Sequence, residues 1–242
     1  MPDIQLRIEL LDTDPLVWRR ILVPEQITLQ RLHTVIQAAM GWEDYHLFEF
    51  ECNGRYYGEP DEWGDRPIAM ARNAQLKRIA ARAPDNTFHY MYDFGDGWEH
   101  RITVEATGLE ETDPCPRLID GAMACPLEDI GGIPGYEALK IAAAGGDDEH
   151  GKMVLEALED HFDPYLLDED EIDFMLEHIQ AGFRRGGRSK VERDANVAKR
   201  EVRNPRRGRG SPFDAMLEAQ GIYNVEELMQ AVQAEIDKNR DK

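Results

Sequence analysis

Asp93, Asp96, Glu99 and His100 fall within eight residues around Gly95 and Gly97, and Glu128 and Asp129 crowd a second turn ahead of Gly131-Gly132. Convergent carboxylates and an imidazole are the ligand types that hold a divalent cation, oxygen for Mg²⁺ or Mn²⁺ and ring nitrogen for Zn²⁺. Two such ions would activate water for phosphodiester cleavage. The competing reading is architectural. Asp93 and Asp96 then cap turn amides, Phe94 and Trp98 fill the core, and His100 meets a backbone carbonyl. A second group, Trp18, Arg19, Arg20, His33, Trp42 and His46, is a candidate pocket; its bland alternative is a core tryptophan with boundary residues bonded to backbone. The candidate functional cluster is thus Asp93, Asp96, Trp98, His100, Glu128 and Asp129. No cofactor is called for and no metal is assigned.

Other chemistries are excluded residue by residue. Serine occurs only at Ser189 and Ser211, both in or beside the basic stretch at 183–210, so a serine nucleophile has no support. Asp93-Phe94-Gly95 lacks every companion motif of a kinase. Gly131-Gly132-Ile133-Pro134-Gly135 does not have the spacing of a dinucleotide fingerprint, and no P-loop occurs. Cys52, Cys115 and Cys125 are too far apart for the close pairs that zinc sites favour, and read as structural thiols in a reducing, cytoplasmic setting.

The elements that must position these residues follow from periodicity. Ile4, Leu6, Ile8 and Leu10 alternate with polar residues, predicting a half-buried strand, and Val17 to Val23 predicts another. Thr28 is the expected N-cap of a helix with apolar Leu29, Leu32, Val35, Ile36, Ala39 and Met40, stopped by Gly41. Leu47 to Cys52 reads as a strand ending in an Asn53-Gly54 hairpin. Phe88 to Phe94 and Trp98 to Val104 alternate on either side of Gly95-Asp96-Gly97, a second hairpin. Tyr136 to Ala144 and Asp148 to Phe162 read as helices, and Asp168 with Glu171 caps a third carrying Ile172, Met175, Leu176 and Ile179. Strands early and helices late define an α+β fold: a mainly antiparallel sheet from the N-terminal half, packed with helices from residues 28–41 and 135–182, plus a short helical tail.

Charge divides the chain. Its 242 residues carry 48 acidic and 28 basic side chains, a formal charge of −20. Residues 184–209 hold eleven basic and three acidic residues, a net +8, which leaves −28 for the rest. That stretch has almost no large apolar side chain with which to offset chain entropy. The expected organisation is therefore a body at 1–182, a basic flexible linker at 183–210 and a helical tail at 211–242. The tail's stripe, Val225, Leu228, Val232 and Ile236, is too small a core to stand alone. No window spans a bilayer, and the first residues lack the layout of a secretory signal.

Three ordered blocks carry a family resemblance. The first is Pro15, Val17, Trp18, Arg19 and Arg20, followed by Leu32-His33, Gly41-Trp42 and His46-Leu47. Tyr90 to His100 is the second. The third runs from Cys125-Pro126 through Glu128-Asp129 and Gly131-Gly132 to Gly135-Tyr136, with Leu127 where a second proline is usual. The chain so resembles the plasmid pRiA4b ORF-3-like family over about residues 3–180. Members of that family are often labelled insertion-element passenger or TnpR-type resolvase proteins. The resemblance implies an α+β domain and an association with mobile elements, and it carries over no catalytic residue. The expected function is a non-enzymatic interaction module, the alternative a metal-dependent hydrolase or nuclease built on the Asp/His/Glu cluster. A protein partner or self-association is expected through 211–242. Nucleic acid contact through 184–209 is the less favoured reading, since that stretch equally suits the acidic body or plain solvation.

Overall fold

The computed structural model describes residues 2–60, 66–110, 114–158 and 162–184. Eight strands form one sheet: β1 (Asp3–Leu10), β2 (Val17–Pro24), β3 (Phe48–Cys52), β4 (Arg55–Gly58), β5 (Ile68–Met70), β6 (Thr87–Tyr92), β7 (Trp98–Leu109) and β8 (Arg117–Ala122). Their order is β5-β4-β3-β6-β7-β1-β2-β8, and every pairing is antiparallel except β4 with β5. The helices are α1 (Leu29–Met40), α2 (Leu76–Ala80), α3 (Gly132–Ala143), α4 (Glu149–Ala157) and α5 (Glu169–Arg184). This is an α+β fold, mainly antiparallel, as the sequence pattern requires.

Residues 2–137 and 163–184 belong to one compact unit. In it the period-two pattern of β1 sends Ile4, Leu6, Ile8 and Leu10 fully inside. Thr28 Oγ1 accepts the Arg31 N–H at 3.3 Å to open α1, and Gly41 closes it in the left-handed region at φ 79°. Asn53 and Gly54 turn the β3–β4 hairpin with positive φ at both positions. Asp168 Oδ1 accepts the Glu171 N–H at 3.0 Å ahead of α5, whose Ile172, Leu176 and Ile179 are buried. The short edge strand β5, the helix α2 and the strand β8 lack a clean periodic signal in the sequence.

A second unit contains 138–158 and Phe162 among the described residues. Within it α3 and α4 cross closely: a Cβ at Gly151 would stand 1.9 Å from the Ala138 carbonyl oxygen. The helix expected over Asp148 to Phe162 stops at Ala157. The linker and tail expected over 183–210 and 211–242 lie, past Arg184, outside the described residues.

Two core expectations are corrected. Trp18 is not a core residue. Its neighbours Val17, Arg19 and Ile21 take the inward phase of β2, and Trp18 lies half-buried outside, under the Arg7 guanidinium 3.9 Å from its ring and with Arg20 at 5.2 Å. Phe94 does not fill the core either; it sits on the turn past the end of β6 and is 54% exposed.

Candidate functional site

Three loops meet at one end of the sheet. The segment after α1, residues 41–47, is locked in place by side chains from elsewhere in the fold. Trp42 Nε1–H donates to the Pro126 carbonyl at 2.9 Å, and the Glu43 N–H donates to Glu128 Oε2 at 2.7 Å. The Tyr92 hydroxyl accepts the N–H groups of Tyr45 (3.0 Å) and His46 (3.4 Å) and donates to Glu128 Oε1 in a short contact. Burial and the Glu128 charge hold the Tyr92 phenol far above its ordinary pKa, so it keeps its proton and remains a donor.

Behind this clamp runs a closed ring of hydrogen bonds. His33 Nε2–H donates to Asp44 Oδ1 at 2.7 Å and Nδ1 accepts the Tyr90 hydroxyl at 2.8 Å. Gln37 Nε2 donates to the same hydroxyl at 3.1 Å, and its Oε1 accepts the Asp44 N–H at 3.0 Å. The imidazole also stacks on Phe48, ring centroids 3.7 Å apart. His33 is thereby a positioning group for the 41–47 segment, its polar edge fully used.

The second loop is the β6–β7 turn. Asp93, at φ 54°, accepts the Gly95 N–H on Oδ1 at 2.9 Å, while its carbonyl accepts the Gly97 N–H at 2.7 Å. Asp96 reaches across to the third loop, where Oδ2 accepts the Gly131 N–H at 3.2 Å and the carboxylate also accepts the Gly132 N–H. Burial, and after it the charges of Asp93 and Asp129, raise the Asp96 pKa above its ordinary value. Two glycines of the third loop are sterically required. A Cβ at Gly132, φ 68°, would stand 2.5 Å from the Asp96 carbonyl oxygen, and one at Gly135 only 1.8 Å from that of Ile130. The Gly-Gly-x-x-Gly run is thus a close-approach device between backbones.

The sequence candidates are therefore distributed as follows. Asp93, Asp96, Glu128 and Asp129 come to the same end of the sheet. His46, from the other candidate group, joins them: its Nε2 lies 3.0 Å from Asp129 Oδ1 and 3.6 Å from Asp93 Oδ2. His46, Asp93 and Asp129 each offer one ligand atom, all within 4.8 Å of one another, the one such group of three among the described residues. His100 does not join them. It lies fully buried in β7 between Trp42 and Tyr90, its Nδ1–H donating to the Trp98 carbonyl at 2.9 Å, and burial lowers its pKa to about 4. Trp98 is core, 5.9 Å from Trp42. Sequence reasoning grouped His46 with Trp42 because they are neighbours along the chain. Only the non-local clamp through Tyr92 and Glu128 brings it to the acidic turns.

Arg19 and Arg20 separate across the sheet, as strand alternation demands. Buried Arg19 donates Nε–H to the Ala39 carbonyl at 3.0 Å and Nη1–H to the Trp18 and Ala122 carbonyls, each at 2.9 Å. It binds the last turn of α1 to β2 and β8, with its cation at the negative end of the helix. Arg20 is on the outer face, with Glu105 and Asp120. The cysteines form no disulfide among the described residues, and none joins a three-ligand cluster there. Burial pushes the Cys125 thiol up to about 12, the reverse of a reactive cysteine.

An eight-stranded, mainly antiparallel sheet whose α1–β3, β6–β7 and β8–α3 loops interlock is the architecture on which the three sequence blocks fall. The chain matches the family model described as "Plasmid pRiA4b ORF-3-like protein" over residues 2–171, and it belongs to that family. It is 42% identical over 154 residues to the uncharacterized protein y4hQ of Sinorhizobium fredii, covering 63% of this chain and 79% of that one. It is also similar to the crystal structure of a protein of unknown function, MM3350, from Methanosarcina mazei Go1. There the TM-score is 0.62 at 32% identity, covering 71% of this chain and 97% of the other. No helix among the described residues is long and apolar enough to cross a membrane.

Proposed function

We propose that this chain is a non-enzymatic interaction module whose acidic loop end receives a cationic, partly apolar segment of a protein partner. One observation carries the reading. The loops that hold His46 and Asp93 also expose Tyr45 (59%), Leu47 (60%) and Phe94 (54%), large side chains standing next to carboxylates. Apolar anchors bordered by charge are the anatomy of a recognition surface. The carboxylates and phenol that catalysis would recruit are spent holding loops: Glu128 on Tyr92 and the Glu43 amide, Asp96 on Gly131. An association with mobile elements, suggested by the family's description, and a cytoplasmic location belong to the same reading.

The test uses the full chain and a labelled synthetic peptide alternating lysine and arginine with leucine and tryptophan. Fluorescence anisotropy is expected to give saturable, salt-sensitive binding, weakened at least fivefold in the double variant Leu47→Ser, Phe94→Ser. Binding indifferent to that variant would remove the surface from consideration. Hydrolysis of bis(p-nitrophenyl) phosphate that disappears with His46→Ala would make the protein an enzyme. Salt-sensitive retardation of duplex DNA by the full chain, without peptide binding, would replace the protein partner with nucleic acid at 184–209.

A further inference from the structure

We propose that His46 Nε2, Asp93 Oδ2 and Asp129 Oδ1 form a binding site for one first-row divalent transition cation of the Zn²⁺ or Mn²⁺ type. The proposal goes beyond the docking reading and does not depend on it. Three features support it.

Spacing is the first. Ligand atoms about 2.0–2.2 Å from Zn²⁺ at near-tetrahedral angles stand about 3.3–3.6 Å apart. The imidazole nitrogen lies 3.0 Å and 3.6 Å from the two carboxylate oxygens and all three ligand atoms lie within 4.8 Å of one another, so modest adjustments of the ring and carboxylates bring them to that spacing. Second, Nε2 is shielded from solvent yet makes no hydrogen bond, although two carboxylate oxygens lie 3.0 and 3.6 Å away. A buried nitrogen without a partner is costly, and a cation between it and the oxygens would remove the cost. Third, the charge is unmatched. Among the described residues neither Asp93 nor Asp129 lies within ion-pair distance of a lysine or arginine, and His46 is the one basic side chain they face. Asp96 stands near enough to both for their charges to raise its own pKa.

The ligands are also preorganised. Asp93 Oδ1 is held by the Gly95 amide, leaving Oδ2 toward His46. Asp129 is fixed beside Glu128 on the loop that Asp96 ties down. An imidazole among the ligands favours zinc or manganese over calcium and magnesium, which prefer all-oxygen cages. The side chains of His46 and Asp129 are 28% and 39% exposed, so coordination positions remain for water or for a group brought by a partner.

The experiment titrates the metal-free full chain with ZnCl₂ by isothermal calorimetry, and with MnCl₂ while observing histidine ring signals by NMR. One ion per chain is expected, with a thermal midpoint that rises on zinc addition and returns on chelation. His46→Gln and Asp129→Asn should each weaken binding at least tenfold, while His89→Gln leaves it unchanged. Asparagine tolerates the φ of 58° at position 129, so that variant keeps the loop. Manganese should broaden the His46 ring signals selectively in the unaltered chain, a readout that needs no variant to fold. Absence of a bound ion, affinity in both variants equal to that of the unaltered chain, or broadening at other histidines with His46 untouched would each overturn the proposal.

Discussion

Two regions of this molecule use carboxylates in opposite ways. On the outer face of the sheet Glu9, Glu105 and Asp120 meet guanidinium groups. Glu9 accepts from Arg7 and Arg101 at 2.9 Å each, Glu105 takes Arg20 in a two-point grip at 2.6 and 3.0 Å, and Asp120 takes the remaining Arg20 nitrogen at 3.1 Å. Trp18 lies beneath Arg7 in the same layer. At the loop end Asp93, Asp96 and Glu128 meet backbone amides, a phenol and an imidazole, and among the described residues no arginine or lysine pairs with Asp93 or Asp129. The first arrangement neutralises charge; the second holds loops and leaves His46 Nε2 without a hydrogen bond. The comparison teaches that Asp93 and Asp129 retain a negative field that no lysine or arginine among the described residues neutralises, and binding is what such a field can do.

If the loop end is held by close backbone approach and the outer face by exposed ion pairs, the two should differ sharply in cost of disruption. Gly135→Ala is the harshest break, because its methyl group would have to displace the Ile130 carbonyl. The urea midpoint should fall by an amount equivalent to about 3 kcal/mol or more. A loss under about 1 kcal/mol would mean that the third loop is pliable and the contrast overstated.

Acid separates the regions next. His100, in the core behind the loop end, stays neutral in the folded chain down to about pH 4, against an ordinary value of 6.5. Its depressed pKa means that the unfolded chain takes up the proton first. Its contribution is therefore complete above pH 6.5 and is lost as pH falls toward 4, about 3 kcal/mol in all. Replacing His100 with Phe should flatten the stability curve between pH 6.5 and 4. Glu105 on the outer face acts lower. Arg20 holds the Glu105 carboxyl below its ordinary 4.5, so its contribution persists above that pH and disappears only beneath it. An unchanged slope in the His100 variant would assign the acid sensitivity to carboxylates instead.

The mildest probe is Glu105→Gln, which removes the charge and replaces one of the two acceptor oxygens facing the Arg20 fork with an amide NH₂. An exposed pair should yield less than about 1 kcal/mol, shrinking further with added salt. A larger, salt-insensitive loss would make the outer face a structural network as strong as the loop clamps.

Much of the scaffold is legible in order along the chain, because its signals are local: the alternation of β1, Thr28 and Gly41 around α1, Asn53-Gly54, and the Asp168 cap. The edge strand β5 and the strand β8 are not, since three to six residues of mixed polarity acquire strand geometry only from a neighbour's ladder. The phase of Val17, Arg19 and Ile21 could have placed Trp18 outside, but residue type outweighed pattern. The acidic turns stood out as a candidate site because both are dense in one residue type. The arrival of His46 among them was not readable, because it depends on Tyr92 and Glu128 joining loops about forty residues apart on either side.

The turn bearing Asp93 grows from β6 and β7, the fourth and fifth strands of eight, whereas His46 and Asp129 ride on segments entering from outside the sheet. One jaw of the site is therefore welded to the least deformable part of the protein and the other two are hung from it. Whatever settles there will be registered as a tightening of the 41–47 and 125–132 segments. Amide exchange in those two stretches, read against a still β6–β7 reference, becomes a built-in gauge of occupancy.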